Sequence, residues 1–166
     1  MHVDLAAIES LYPEAFPDED LLPLVRDLLQ EARVALSLVA TIDCRIVGHV
    51  IFTRCSVAGS DHRCALFGPL AVEPAWQRRG IGSAIVRDGL QRLEYEDVSQ
   101  VFVLGDPTYY GRLGFLPESR VKPPDTLPPE WESAWQSQSL RGSIATPHPG
   151  KLSLPQPWLK SSLWLP

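Results

Sequence analysis

The stretch Leu66-Phe67-Gly68-Pro69-Leu70-Ala71-Val72-Glu73-Pro74-Ala75-Trp76-Gln77-Arg78-Arg79-Gly80-Ile81-Gly82-Ser83 decides how this 166-residue chain folds. Cys64 to Val72 is an apolar run of strand length, and Pro74, which lacks an N–H, forbids its continuation in a ladder. From Ile81 the pattern takes helix period. Ile81 and Ile85 stand four apart, Val86, Leu90 and Leu93 fill the adjoining row, and Arg87, Asp88, Gln91 and Glu94 take the other face. The spacing predicts a buried strand, a glycine-bearing turn and a helix that starts near Gly80. The first turn of a helix leaves backbone N–H groups unpaired and carries roughly half a positive charge, so it binds an anion wherever the backbone can come close. Gly80 and Gly82 permit that approach, and Arg78 and Arg79 add guanidinium groups suited to phosphate oxygens. A diphosphate is the natural guest.

Other phosphate loops fit less well. A Walker loop needs Gly-Lys-Ser/Thr after its glycines, and a dinucleotide fingerprint needs G-x-G-x-x-G; neither is present. The plain alternative is a turn whose glycines merely allow tight packing. The order Gln77-x-x-Gly80-x-Gly82 resembles the acyl-CoA signature of the GNAT N-acetyltransferase superfamily, Arg/Gln-x-x-Gly-x-Gly/Ala, which lies between that family's fourth strand and third helix. Further on, Tyr110 to Phe115 is similar to the family's second signature, a tyrosine followed by x-x-x-Gly-Phe. The resemblance covers roughly Ala32 to Pro117 well and the remainder poorly. It implies an α+β (mixed α/β) fold, in which a central, mostly antiparallel sheet with a parallel, splayed pair at the acyl-CoA site is flanked by helices.

With 45% hydrophobic and 21% charged residues, the chain is long enough for one domain with a substantial core. We read residues 1–166 as that domain, with a core of about 3–145 and an irregular Pro- and Trp-containing tail over 146–166. The net charge of -5 argues against a nucleic-acid surface, because no general positive field would hold a phosphate backbone. Cys44, Cys55 and Cys64 are odd in number and lack CxxC spacing, which suggests neither a zinc site nor a disulfide framework and fits a reducing cytoplasm. Asp4 and Glu9 precede any lysine or arginine, and no long apolar segment follows, so neither a signal peptide nor a membrane span is expected.

Before the central stretch, Leu5, Ile8, Leu11 and Tyr12, then Leu21, Leu22, Val25, Leu28 and Leu29, fall at helical spacing. Two short helices are expected, the first ended by Pro13 and Pro17 and the second capped by Asp18. The resemblance implies that this pair walls the substrate cleft, and almost nothing remains ahead of it for the family's usual first strand. Val34 to Ile42 and Arg45 to Arg54 read as a hairpin split by Asp43-Cys44, where the absence of glycine suggests a longer or different turn. After the long helix, Gln100 to Gly105 is a short apolar run suited to a buried strand parallel to the Cys64 to Val72 strand, so the ligand crevice opens between Val72 and Gly105. Asp106-Pro107 stops it, and Thr108 to Phe115 forms a short helix ending at Gly114. From Pro117 onward the chain holds ten of its sixteen prolines and four of its five tryptophans. Gln138 to Ile144 is a candidate last strand there, Pro123 to Pro129 a proline-fixed loop, and the tryptophans read as cover for the sheet or for the partner in a homodimer.

If the family assignment holds, acetyl-CoA is the co-substrate, no metal is called for, and the acceptor is a small-molecule or peptide amine. Gln77, Arg78, Arg79, Gly80, Ile81, Gly82 and Ser83 would take the pyrophosphate. Leu70, Ala71 and Val72 would meet the pantetheine arm as a neighbouring strand does, with the N–H near Val72 polarising the thioester oxygen. Gly68-Pro69 favours a splayed edge, because proline removes a ladder donor and glycine often marks a bulge. A thiolate leaving group needs a proton donor, a role the family's equivalent tyrosine plays; Tyr110 is the candidate, with a core aromatic as its structural alternative. For the base we rank Glu73 first, Asp106 second and His49 third, against solvated, capping and sheet-buried alternatives. An acyl-CoA-binding or regulatory module without transfer activity, and a nucleotide-phosphate binder, are the competing readings; the second signature at Tyr110 argues against the latter.

Overall fold

The computed structural model describes residues 4–140 and 149–164. Helices α1 (Leu5–Ala15) and α2 (Leu22–Leu29) come first, followed by the antiparallel strands β1 (Ala35–Ile42), β2 (Arg45–Val57) and β3 (Cys64–Val72). A 3-10 turn (Pro74–Trp76) then leads into α3 (Ile81–Tyr95), β4 (Gln100–Leu104) and α4 (Pro107–Gly111). Strands β5 (Leu116–Pro117), β6 (Val121–Lys122), β7 (Trp135–Ser139) and β8 (Gly150–Ser153) complete one sheet in the order β5-β7-β4-β3-β2-β8-β6, with β1 on β2.

Strand alternation explains how this sheet carries a core on each side. On β2, Ile51 joins Ile8, Tyr12, Val25 and Leu28 of the first two helices, while Val50 and Phe52 join Ile85, Val86 and Leu93 of α3. On β4, Phe102 takes the first side and Val101 and Val103 the second, so the continuous apolar run of this strand is buried on both faces as expected. The α3 face closes tightly: a Cβ on Gly89 would stand 2.1 Å from the Phe52 ring. Opposite, the segment read as an irregular tail supplies β8, which pairs with Ser56 and Val57, and buries Trp158 and Trp164. Trp158 Nε1 donates to Thr53 Oγ1 at 2.9 Å, and Trp164 Nε1 donates to the Trp158 carbonyl at 2.9 Å.

Several boundaries differ from expectation. α1 runs through Pro13 to Ala15 and takes its cap from Asp4, whose carboxylate accepts from the N–H groups of Ala6 and Ala7. α2 begins at Leu22 without a side-chain cap, so Asp18 does not serve. The β1–β2 turn is the tight two-residue form: Ile42 faces Arg45, and Asp43 and Cys44 have φ of 50° and 63°. Both central residues take the left-handed region that such a turn demands, even without glycine. The strand beside β4 is Trp135–Ser139 rather than Gln138 to Ile144, whose last four residues lie outside the described ones. α4 stops at Gly111, ahead of Gly114. No strand precedes α1 among the described residues, and none of the described helices is long and apolar enough to cross a membrane.

Candidate active site

β3 and β4 pair in parallel through Cys64, Ala65 and Leu66 against Gln100, Val101 and Phe102, and no pair is made beyond Leu66 and Phe102. Just past that point the β2–β3 register shifts between Val50 and Phe52, across from Gly68-Pro69, so the bulge lies where the sheet opens. On the far side of the opened edge, the Glu73 N–H donates to the Val47 carbonyl of β2 at 2.8 Å. Strand alternation then turns the backbone groups of Leu70 and Val72 the other way, into the wedge facing β4.

The turn after β3 is held by the chain itself. Gln77 Nε2 donates to the Val72 carbonyl at 2.9 Å, which commits the Gln77 amide to shaping the turn. Arg79 stacks its guanidinium over Trp76, 4.9 Å from the ring centroid, while Arg78 has φ of 63°. Gly80, with φ of 81°, is the N-cap of α3 and lends no side chain to the helix end. Ala84 N–H bonds back to the Gly80 carbonyl at 3.0 Å, so the amides of Ile81, Gly82 and Ser83 form the open first turn. Left-handed backbone at Arg78 and Gly80 next to those amides is the kind of turn that forms an anion nest. The space in front of Gly82 is confined: a Cβ there would stand 2.9 Å from Tyr109 Oη, 3.6 Å from Val72 Cγ2 and 3.7 Å from Leu70 Cδ2. These residues suit the diphosphate and arm of a coenzyme A, because backbone donors at the start of α3 and a free strand edge adjoin a turn that carries Arg78 and Arg79.

Two residues, Gly105 and Asp106, separate β4 from α4, which sets two tyrosines over the wedge. Asp106 accepts from the Thr108 N–H at 2.9 Å and so caps this helix. The Tyr110 ring lies against the bare α-carbon of Gly105, where a Cβ would stand 2.3 Å from Cε2, and meets Phe67 and Phe115 edge-on at 5.3 and 6.0 Å. Burial, followed by the charges of Tyr109 and Asp106, pushes the Tyr110 phenol well above its ordinary range, so it stays protonated at neutral pH. Its hydroxyl has no hydrogen-bond partner among the described residues, and neither has that of Tyr109. Sequence reasoning missed how closely Tyr109 approaches Gly82; Gly105, directly before Asp106-Pro107, signals only the packing of the Tyr110 ring.

The three candidate bases fare differently. Glu73, its side chain 12% exposed, is paired with Arg45, whose side chain is 67% exposed. Asp106 is engaged as a cap. His49 is sealed in the sheet, with Nδ1 at 2.6 Å from Tyr12 Oη and Nε2 at 2.7 Å from Ser37 Oγ, and burial lowers its pKa to about 4. Both ring nitrogens are taken, so the sheet-buried alternative describes His49. Cys55 and Cys64 face each other across β2 and β3 as free thiols, and burial raises both well above the ordinary thiol value. A cavity of about 800 Å³ between the 122–127 loop and Glu132 to Trp135 contains none of the wedge residues.

Comparison with known proteins bears on this wedge. The model of the acetyltransferase (GNAT) family matches residues 5–115. Over 150 residues, 86% of this chain and 83% of the relative, the sequence is 36% identical to YjhQ, an uncharacterized N-acetyltransferase of Escherichia coli K12. The crystal structure of the GNAT family N-acetyltransferase YhbS from Escherichia coli in complex with CoA matches with a TM-score of 0.86 at 28% identity, covering 96% of this chain and 89% of that one. A GNAT family acetyltransferase from Brucella melitensis in complex with acetyl-CoA matches with a TM-score of 0.71 at 26% identity, covering 92% and 90%.

Proposed function

The chain belongs to the GNAT acetyltransferase family, and from that premise we propose that it moves an acetyl group from acetyl-CoA to a primary amine by direct attack in a ternary complex. The observation that carries the reading is the parallel pair of β3 and β4, which parts beyond Leu66 and Phe102 beside an α3 N-terminus that no side chain caps. The CoA complex of YhbS and the acetyl-CoA complex of the Brucella protein support placing acetyl-CoA in this wedge.

In this reading Arg78, Arg79 and the amides of Gly80 to Ser83 hold the diphosphate, with Gln77 fixing their turn. Leu70, Ala71 and Val72 form the edge along which the pantetheine arm lies. Acetyl-CoA supplies a thioester carbonyl open to an amine. The Val72 N–H points into the wedge and polarises that carbonyl oxygen. Tyr110, kept protonated by burial, donates a hydrogen bond to the departing sulfur. The demand on a base depends on the acceptor. A lysine-like amine is neutral only about once in 2,500 molecules at pH 7, about 4.6 kcal/mol of deficit, whereas an α-amino group is about one-tenth neutral. Glu73 is the base in our assignment, because Asp106 is spent on α4 and His49 is sealed. The cytoplasm is the setting we assign.

The test measures acetyl-CoA consumption with a panel of amines, beside thermal melts with CoA and with adenosine. Acetylation of at least one amine, with a rise in melting temperature from CoA that adenosine does not give, is the expected result. Equal shifts from both ligands would refute the diphosphate site, and binding without turnover for every amine would favour the non-catalytic acyl-CoA-binding module.

A further inference from the structure

The tyrosine that reaches the anion nest is not the one assigned to the acid step. α4 is a single short turn, yet it is pinned at several points: Asp106 caps it, Tyr110 N–H bonds to the Asp106 carbonyl at 3.0 Å, and Phe115 N–H bonds to the Tyr110 carbonyl at 3.1 Å. Tyr110 turns inward onto Gly105, Phe67 and Phe115. Tyr109, held edge-on against Tyr110 at 5.0 Å, crosses the mouth of the wedge to α3. Its hydroxyl stands 2.9 Å from the position a Gly82 Cβ would take, beside the side chains of Leu70 and Val72. That oxygen has no hydrogen-bond partner among the described residues, and it lies beside Gly82 in the α3 first turn.

Resting on the cofactor site proposed above, we infer that Tyr109 is a further cofactor-binding residue, whose hydroxyl donates a hydrogen bond to a diphosphate oxygen of CoA held at Gly82. A phenol is a donor at neutral pH, and a charged oxygen is the stronger acceptor for it. The hydroxyl therefore adds a side-chain donor to the backbone donors at Gly82. Gly82 matters here for a second reason besides backbone approach: a larger side chain would stand between Tyr109 and the phosphate.

The experiment compares wild type with Tyr109→Phe by calorimetry, using CoA and pantetheine, which lacks the diphosphate. The variant should bind CoA about tenfold more weakly, in the range expected for a hydrogen bond to a charged group, and should bind pantetheine as wild type does. Its melting temperature without ligand should match wild type, because the hydroxyl loses no partner. The loss in acetylation should fall on KM for acetyl-CoA rather than on kcat. Unchanged or tighter CoA binding overturns the inference, the tighter case making Tyr109 a plug in the site. An equal loss with pantetheine also overturns it, by placing the contact away from the diphosphate. A wild-type protein that binds no CoA removes the cofactor site and this inference together, so the two failures are told apart by the wild-type titration.

Discussion

The two faces of the sheet are built in different ways. On the α3 face the cofactor wedge comes from neighbours in sequence: β3 ends at Val72, the turn runs from Glu73 to Gly80, and α3 starts at Ile81. On the α1 and α2 face, contacts join distant parts of the chain. Tyr12 meets His49, Trp158 of the C-terminal segment meets Thr53, and Trp135 stacks on Phe102 and meets Trp164. The first kind of site depends on backbone direction and on where glycine and proline allow a turn. The second depends on which side chains tertiary folding brings together. Substitutions on the two faces should therefore separate, with cofactor binding lost on one and stability lost on the other.

The largest effect expected is at Gly82. Gly82→Val should abolish CoA binding while leaving the protein folded, as read by calorimetry and circular dichroism. Valine keeps helical angles at the first turn at a cost of tenths of a kcal/mol. Its side chain would fill the space that a single Cβ already narrows to 2.9 Å from Tyr109 Oη. A folded variant with near-normal affinity would mean that backbone approach at α3 does not make the site, and the contrast between the faces would fail.

Next comes Tyr110→Phe, which should lower turnover by ten-fold or more, at the low end of or below the roughly 10²–10⁴ typical of acid–base groups, with CoA affinity little changed. Gly105→Ala gives an independent version of the same test. The phenol is kept, but a Cβ 2.3 Å from the ring must displace it. Turnover should fall in both variants. If Gly105→Ala cost stability and spared turnover, Tyr110 would be a core aromatic and nothing more.

What could be read from the chain follows the same division. The β1–β2–β3 meander, the start of α3 at Gly80 and the parallel β4 were legible, because each rests on a local period broken by Pro74, Gly80 or Pro107. The last strand was displaced, because Trp135 is identified as strand by its pairing with Leu104 and by its stack on Phe102, which no window around Gln138 contains. Asp18 looked like a cap because its type and neighbours fit, yet the chain between α1 and α2 turns through Pro17 and starts the helix at Leu22. At the site, the arginine and glycine positions were legible as a pattern. The partners that decide the bases were not: the Arg45 that pairs with Glu73 lies 28 residues away, and the Tyr12 that seals His49 lies 37 away.

The smallest effect, and the one that probes the other face, concerns Tyr12 and His49. The Tyr12 hydroxyl stands 2.6 Å from His49 Nδ1, and the other ring nitrogen, Nε2, stands 2.7 Å from Ser37 Oγ. Tyr12→Phe leaves Nδ1 without its hydrogen-bond partner in a buried place and should lower stability by about 1–3 kcal/mol, with CoA affinity unchanged. His49 also makes stability depend on pH. Its folded pKa, lowered by burial to about 4, lies below the ordinary 6.5, so between these values the unfolded chain binds a proton that the folded one does not. Stability from this group is complete above pH 6.5 and is lost as pH falls toward 4, by about 3 kcal/mol in all. Carboxylates add their own acid dependence, so the informative quantity is the difference between wild type and His49→Gln in denaturant midpoints at pH 7.5 and pH 4.5. The variant should be less stable at the higher pH and should lose less on acidification. Parallel losses in the two proteins would mean that His49 is free to take a proton when folded, and a base on the α1 face would have to be reconsidered.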